Sequence, residues 1–143
     1  MFKKLIVGMD FSALGEKAAR TAVALAAGLG AEVVLVHVVA SQGRGKNLED
    51  AGASLAEVRP GIEQQLKETC ARFAAGGARI DWGVVDGDPA EQLATFAERW
   101  NGDLLVAGSH GRPAVSQMLL GSVADKLVKI ARVPVVVVGP NAT

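Results

Sequence analysis

The chain predicts an α/β protein built on a parallel sheet. Two observations carry this. Five short runs of β-branched and other apolar residues alternate with segments whose apolar residues recur at helical spacing. Most helical segments also fall between two strands, as the crossover between parallel neighbours requires. Right-handed crossovers then leave few topologies.

Leu5 to Met9 is a short apolar run ending at Asp10, a buried strand. Asp10-Phe11-Ser12 opens a helix, with Ser12 as its N-cap; no Gly-x-Ser-x-Gly elbow surrounds it to make it a nucleophile. Leu14, Ala18, Ala22, Leu25 and Leu29 mark its apolar face, and Gly28 and Gly30 end the pattern. Glu32 to Val39 is the second strand, in which His37 between Val36 and Val38 reads as a core histidine. Residues 41–61 are irregular, and Pro60 is expected to end or kink any helix over 48–58. Ile62, Leu66, Thr69, Cys70 and Phe73 mark the next helix, closed by Gly76-Gly77. Ala78 to Val85 is the third strand. Arg79 and Asp81 alternate there with Ile80 and Trp82, the pattern of a half-exposed edge. Asp88-Pro89-Ala90-Glu91 combines a cap, a proline for the first helical position and an acid three residues after the cap. Leu93, Phe96, Ala97 and Trp100 form that helix's apolar face, which Asn101-Gly102 ends. Asp103 to Ala107 is the fourth strand, Val123 to Ala131 the last helix, and Val133 to Val138 the fifth strand with Pro134 at its start.

At 143 residues, half of them hydrophobic, one domain spanning 1–143 is expected, large enough to bury a proper core. Fifteen basic residues balance fifteen acidic ones, so no general attraction to nucleic acid or anionic membrane is expected. No run of about 18 apolar residues suggests a membrane span. Gly8, Asp10 and Ser12 interrupt the only segment resembling a signal peptide, and the single Cys70 has no internal disulfide partner. Both fit a cytoplasmic protein. The two histidines are not at metal-ligand spacing, so no protein-built metal site is expected.

The chemistry concentrates near the end of the chain. Gly108-Ser109-His110-Gly111 follows the fourth strand, and nine residues later Gly121-Ser122 opens the last helix. Glycines let backbone approach a ligand closely, and a helix N-terminus offers unpaired N–H groups to an anion. The spacing is neither a Walker A loop nor a dinucleotide fingerprint. In a doubly wound sheet, ligands sit beyond the carboxyl ends of the strands where strand order reverses. The loops after Met9, Val38 and Ala107 are therefore expected to meet, with Asp10 facing the glycine loop. Blander readings stand beside each residue. Ser122 with Asp125 fits a capping box, Asp10 suits a turn, and His110 and Arg112 suit either a phosphate contact or a solvated loop.

The pattern Gly-x2-Gly-x9-Gly-Ser resembles the nucleotide-binding motif of the universal stress protein family. The likeness runs through Val7-Gly8-Met9-Asp10, Leu35-Val36-His37-Val38, Gly87-Asp88-Pro89, Gly108-Ser109-His110-Gly111-Arg112, Gly121-Ser122-Val123 and Val133-Pro134-Val135-Val136-Val137-Val138. It implies a Rossmann-like three-layer sandwich with strand order 3-2-1-4-5 and a homodimer paired through Val133 to Val138. It implies ATP, held through ribose and phosphates by Gly108, Gly111, Gly121, Ser122 and Val123; His110 and Arg112 are added from their place in the loop as phosphate contacts, and Mg²⁺ would arrive on the phosphates. Asp10 would approach the adenosine, and backbone near Val38 would read adenine. Pro113-Ala114 departs from the small residue and glycine found in many ATP-binding relatives, and Pro113 removes one N–H.

Two further readings compete with a regulatory nucleotide-binding module. One is an ATP-using hydrolase or transferase, which needs acid–base groups that the motif does not supply, so any hydrolysis is expected to be slow. The other is a nucleotide-free interaction protein in which the loop is structural.

Overall fold

The computed structural model describes residues 2–40, 55–75, 77–110 and 119–142. Five strands form one parallel sheet: β1 (Lys4–Gly8), β2 (Glu32–Ala40), β3 (Ile80–Gly87), β4 (Leu104–Gly108) and β5 (Val135–Val138). Their spatial order is β3-β2-β1-β4-β5. The helices are α1 (Ala13–Leu29), α2 (Leu55–Ala74), α3 (Pro89–Arg99) and α4 (Ser122–Ile130). The three-layer α/β architecture and strand order are those expected, and β3 is an edge, as its alternation suggested.

The side-chain alternation of each strand feeds two cores. Leu5 and Val7 of β1, Val33 and Leu35 of β2 and Val106 of β4 pack under α1 and α2. Ile6, Val34, Val36 and Leu105 pack under α3 and α4. Burial of each such side chain stabilises by about 1.5–3 kcal/mol. The central strands are buried on both faces, which is why they read as unbroken apolar runs.

Several local expectations shift. The buried face of α1 is Gly15, Ala18, Ala19, Ala22 and Ala26, while Leu25 and Leu29 are exposed. Small residues let the helix lie close to the sheet, and the larger leucines fall outside that stripe. Pro60 lies inside α2 and does not end it, while residues 41–54 of the irregular segment lie outside the described residues. β3 begins and ends two residues later than expected, and β5 begins at Val135. Trp100 is the C-cap of α3, 55% exposed, and packs at the edge with its ring stacked on Phe96 at 5.4 Å. Ser12 and Asp88 do cap α1 and α3, accepting from the N–H groups of Gly15 and Glu91. No helix among the described residues is long and apolar enough to cross a membrane.

Candidate functional site

β1 and β4 are neighbours from which the chain winds in opposite directions, so a crevice opens beyond their carboxyl ends. A cavity of about 570 Å³ lies there. The three expected loops meet in it: Met9 and Asp10 after β1, Val38 and Ala40 at the end of β2, Gly108 and His110 after β4. Gly121, Ser122 and Val123 line its other side. Gly111 and Arg112, with Pro113-Ala114, lie outside the described residues.

The N-terminus of α4 opens on this cavity. Its N-cap is Gly121, and its first helical hydrogen bond runs from the Asp125 N–H to the Gly121 carbonyl at 2.9 Å. The N–H groups of Ser122, Val123 and Ala124 therefore have no intrahelical acceptor, and Gly121 has no side chain to cap them. The capping box expected of Ser122 and Asp125 does not form. Ser122 is the first helical residue rather than the cap, it is exposed, and Asp125 pairs with Lys129 at 3.0 Å. α1 and α3 carry side-chain caps, whereas among the described residues no side chain caps the start of α4, which lines the crevice.

Gly121 is held by close approach. Its N–H donates to the Ser109 carbonyl at 2.7 Å, and a Cβ there would lie 2.9 Å from that oxygen and 3.0 Å from His110 Cα. At Gly108 a Cβ would press on the Leu14 side chain at 3.0 Å. His110 is half-buried and both ring nitrogens are engaged. Nδ1 lies 2.9 Å from Ser109 Oγ, and Nε2 meets the Leu119 carbonyl.

Asp10 shapes the opposite wall. Its Oδ1 accepts from the Ser12 N–H at 3.0 Å and the Ser12 hydroxyl at 2.5 Å, so the turn reading holds for that oxygen. The residue is exposed and lines the cavity. Val38 contributes backbone. In a parallel ladder successive residues turn their N–H and C=O to opposite neighbours. Val33 bonds toward β3 and the Val36 carbonyl accepts from Met9 on the β1 side, so Val38 also faces the β1 side. β1 has ended at Gly8, which leaves the Val38 amide and carbonyl facing the crevice. His37 is half-buried rather than fully in the core, and it also lines the cavity. Its Nδ1 donates to the Met9 carbonyl at 2.7 Å, and its ring packs on Phe11.

Sequence reasoning missed Met9, Pro89, Leu93, Leu119 and Leu120 as lining residues. Met9 was legible, since the residue just past a strand's carboxyl end faces this crevice. Pro89 and Leu93 arrive because α3 also starts at that end of the sheet. The Lys126 ammonium ties α4 to that start, reaching Asp88 at 3.1 Å and Glu91 at 3.0 Å. The Glu91 N–H, then Lys126, hold the Asp88 carboxyl below its usual range despite opposing desolvation.

The fold and this crevice define a doubly wound α/β protein with an uncapped helix N-terminus at its topological switch point. The chain belongs to the universal stress protein family, whose model matches residues 1–139. A universal stress protein of Methanocaldococcus jannaschii, MJ0531, is 31% identical over 140 residues, spanning 96% of this chain and 82% of that protein. The solved structure of hypothetical protein MJ0577 superposes with a TM-score of 0.86 at 26% identity, covering 100% of this chain and 99% of that one. A universal stress protein solved in complex with cAMP gives a TM-score of 0.73 at 26% identity, covering 96% and 97%.

Proposed function

We propose that the protein is a homodimeric regulatory module of one domain that binds an adenine nucleotide, ATP foremost, in the crevice. The observation that carries this is the uncapped N-terminus of α4 opening into a cavity large enough for a nucleotide. The amides of Ser122, Val123 and Ala124 would hold phosphate, with the helix dipole favouring the negative charge. The Val38 amide and carbonyl form a donor–acceptor pair suited to an adenine edge. The free oxygen of Asp10 suits a ribose hydroxyl. Gly111 and Arg112 complete the phosphate loop in this reading, and Mg²⁺ would be carried largely by phosphates and water. The cAMP complex of a relative supports an adenine ligand for the fold.

Thermal unfolding of nucleotide-free protein with ATP, ADP, AMP and cAMP, each with and without Mg²⁺, tests the proposal. Ligand at 100 times its dissociation constant stabilises by about 2.7 kcal/mol. That corresponds to several degrees, at roughly 2–8 °C per kcal/mol. Ser122→Pro is the sharpest variant. Proline is favoured at the first helical position, and Gly121 at φ −63°, ψ 160° already has the extended backbone that precedes proline. The helix is retained while one amide and the hydroxyl are lost. The shift should shrink in Ser122→Pro and less in Ser122→Ala. Absence of any shift up to millimolar nucleotide would instead make this a nucleotide-free interaction protein.

A further inference from the structure

We propose that His110 is a positioning residue: its imidazole clasps the two ends of the glycine loop together and so sets the amides of α4 against the strand end, without itself touching phosphate. This rests on the nucleotide-binding reading for its functional consequence, but the clasp belongs to the free protein.

Three contacts converge on it. The backbone of Ser109 accepts the Gly121 N–H at 2.7 Å. The absent Cβ of Gly121 leaves room for Ser109 and His110 to approach, as a methyl there would sit 2.9–3.0 Å from both. The imidazole then bridges Ser109 Oγ and the Leu119 carbonyl. A carbonyl only accepts, so Nε2 must carry a proton, and in the neutral ring Nδ1 accepts from the Ser109 hydroxyl. Ser109 is itself buried, 5% exposed, and its N–H is fixed to the Val138 carbonyl at 2.8 Å. The chain of contacts therefore runs from the sheet through Ser109 and His110 to Leu119, two residues before the N-cap of α4. A ring with both nitrogens occupied has no polar atom left for a ligand. Protonation converts Nδ1 to a donor, and the Ser109 hydroxyl can turn to accept from it, so the clasp persists in the cation.

The two roles predict opposite behaviour. A phosphate ligand acts only when nucleotide is present, binds more tightly once protonated, and leaves the free protein unchanged when removed. A clasp acts without nucleotide. The test uses the full chain and three variants, His110→Ala, His110→Gln and Ser109→Ala. Exchange of the Gly121 amide with solvent deuterium is followed in nucleotide-free protein, and ATP affinity is followed between about pH 5 and 8. His110→Ala should speed Gly121 exchange in the free protein and weaken ATP binding roughly three- to tenfold. His110→Gln, whose amide N–H can reach the Leu119 carbonyl, should restore both. Ser109→Ala should give a smaller change of the same sign. The wild-type to His110→Ala affinity ratio should stay flat with pH. Unchanged Gly121 exchange in His110→Ala overturns the proposal. So does a ratio that grows on acidification and is not rescued by glutamine, which would make His110 a direct ligand. Should no nucleotide bind at all, the functional reading fails while the exchange measurement still decides the clasp.

Discussion

Gly102 shows how a residue's reason can lie far along the chain. In the sequence it marks the stop of a helix. In the fold its Cα faces β1, and a Cβ there would collide with the Ile6 side chain, which is fully buried, while lying 3.4 Å from Ala97 Cα. Gly102→Ala should therefore destabilise by about 1–3 kcal/mol, the range for overpacking a filled site. Denaturant unfolding would show a lower midpoint at unchanged slope, and combining Gly102→Ala with Ile6→Ala, which removes the γ carbon nearest the new methyl, should cost less than the sum of the two single losses. An unshifted midpoint would mean that Ile6 moves aside freely. Cys70 offers a second test at this scale. It lies on the sheet-facing side of α2 with its sulfur toward the Asp81 carbonyl of β3, and burial, then the Asp81 charge, push its pKa up to about 11. The thiol is therefore almost wholly protonated at neutral pH and should react with thiol reagents far more slowly than a free cysteine, until denaturant exposes it. Rapid labelling of the native protein would contradict that placement. Neither contact was legible, because local patterns show what a residue does to its own segment and not which side chain arrives from another.

Helix starts marked by a short polar cap were the most legible elements, and the misread start of α4 is the informative one. Ser12 and Asp88 cap as expected because short polar side chains reach back one turn wherever they precede a helix. At α4 the helix begins one residue earlier than a Ser122 cap requires, so the serine meant for capping sits within the first turn. One residue separates a helix capped by its own serine from one whose first three amides have no cap among the described residues. Pro60 does not end its helix, one of the two outcomes expected of it. A proline forfeits one helical hydrogen bond, but α2 recovers stability by burying Leu66 and Cys70 against the sheet. Asp88 gives the element-scale prediction. Its folded-state pKa is lowered, chiefly by the Glu91 amide, so its carboxylate adds stability at pH values above the ordinary carboxylate pKa of about 3.9. That contribution is lost as pH falls through the depressed value. Asp88→Ala should cost about 1 kcal/mol at neutral pH through loss of the cap. Asp88→Asn keeps a capping oxygen but not the charge, so its deficit should be smaller and should fade on acidification. Equal deficits for Asp88→Asn at pH 7 and near pH 3 would rule the charge out as a contributor.

For the whole molecule, the alternation of strands and helices was legible because central strands buried on both faces cannot disguise their apolar runs. Strand order was not legible from that alternation, since any right-handed winding produces the same pattern. It followed from the family likeness carried by the glycine spacing. The two edges of the sheet then differ in a way that bears on assembly. On β3 the ladder parity set by the bond from Val33 to Arg79 turns the Trp82 N–H outward, where the neighbouring Asp81 carboxylate accepts it at 2.8 Å. On β5 the bonds from Leu105 to Pro134 and from Ser109 to Val138 turn the groups of Val135 and Val137 outward. No side chain among the described residues takes them, and Val128 and Ile130 of the adjacent α4 are exposed. Lys17 holds the carbonyls of Pro140 and Ala142, drawing the chain after β5 toward α1. An open apolar edge of this kind is an aggregation hazard unless covered, and a second copy across a two-fold axis covers it with identical hydrogen bonds in both directions. The proposed homodimer therefore pairs through β5 rather than β3. Val137→Pro removes an outward N–H and no bond to β4, a substitution that edge strands tolerate. Sedimentation equilibrium should find the wild type at twice the chain mass and Val137→Pro at the chain mass, with circular dichroism unchanged. A Val137→Pro protein that stays dimeric would move the interface away from β5, and a wild type that is monomeric at micromolar concentration would remove the dimer itself.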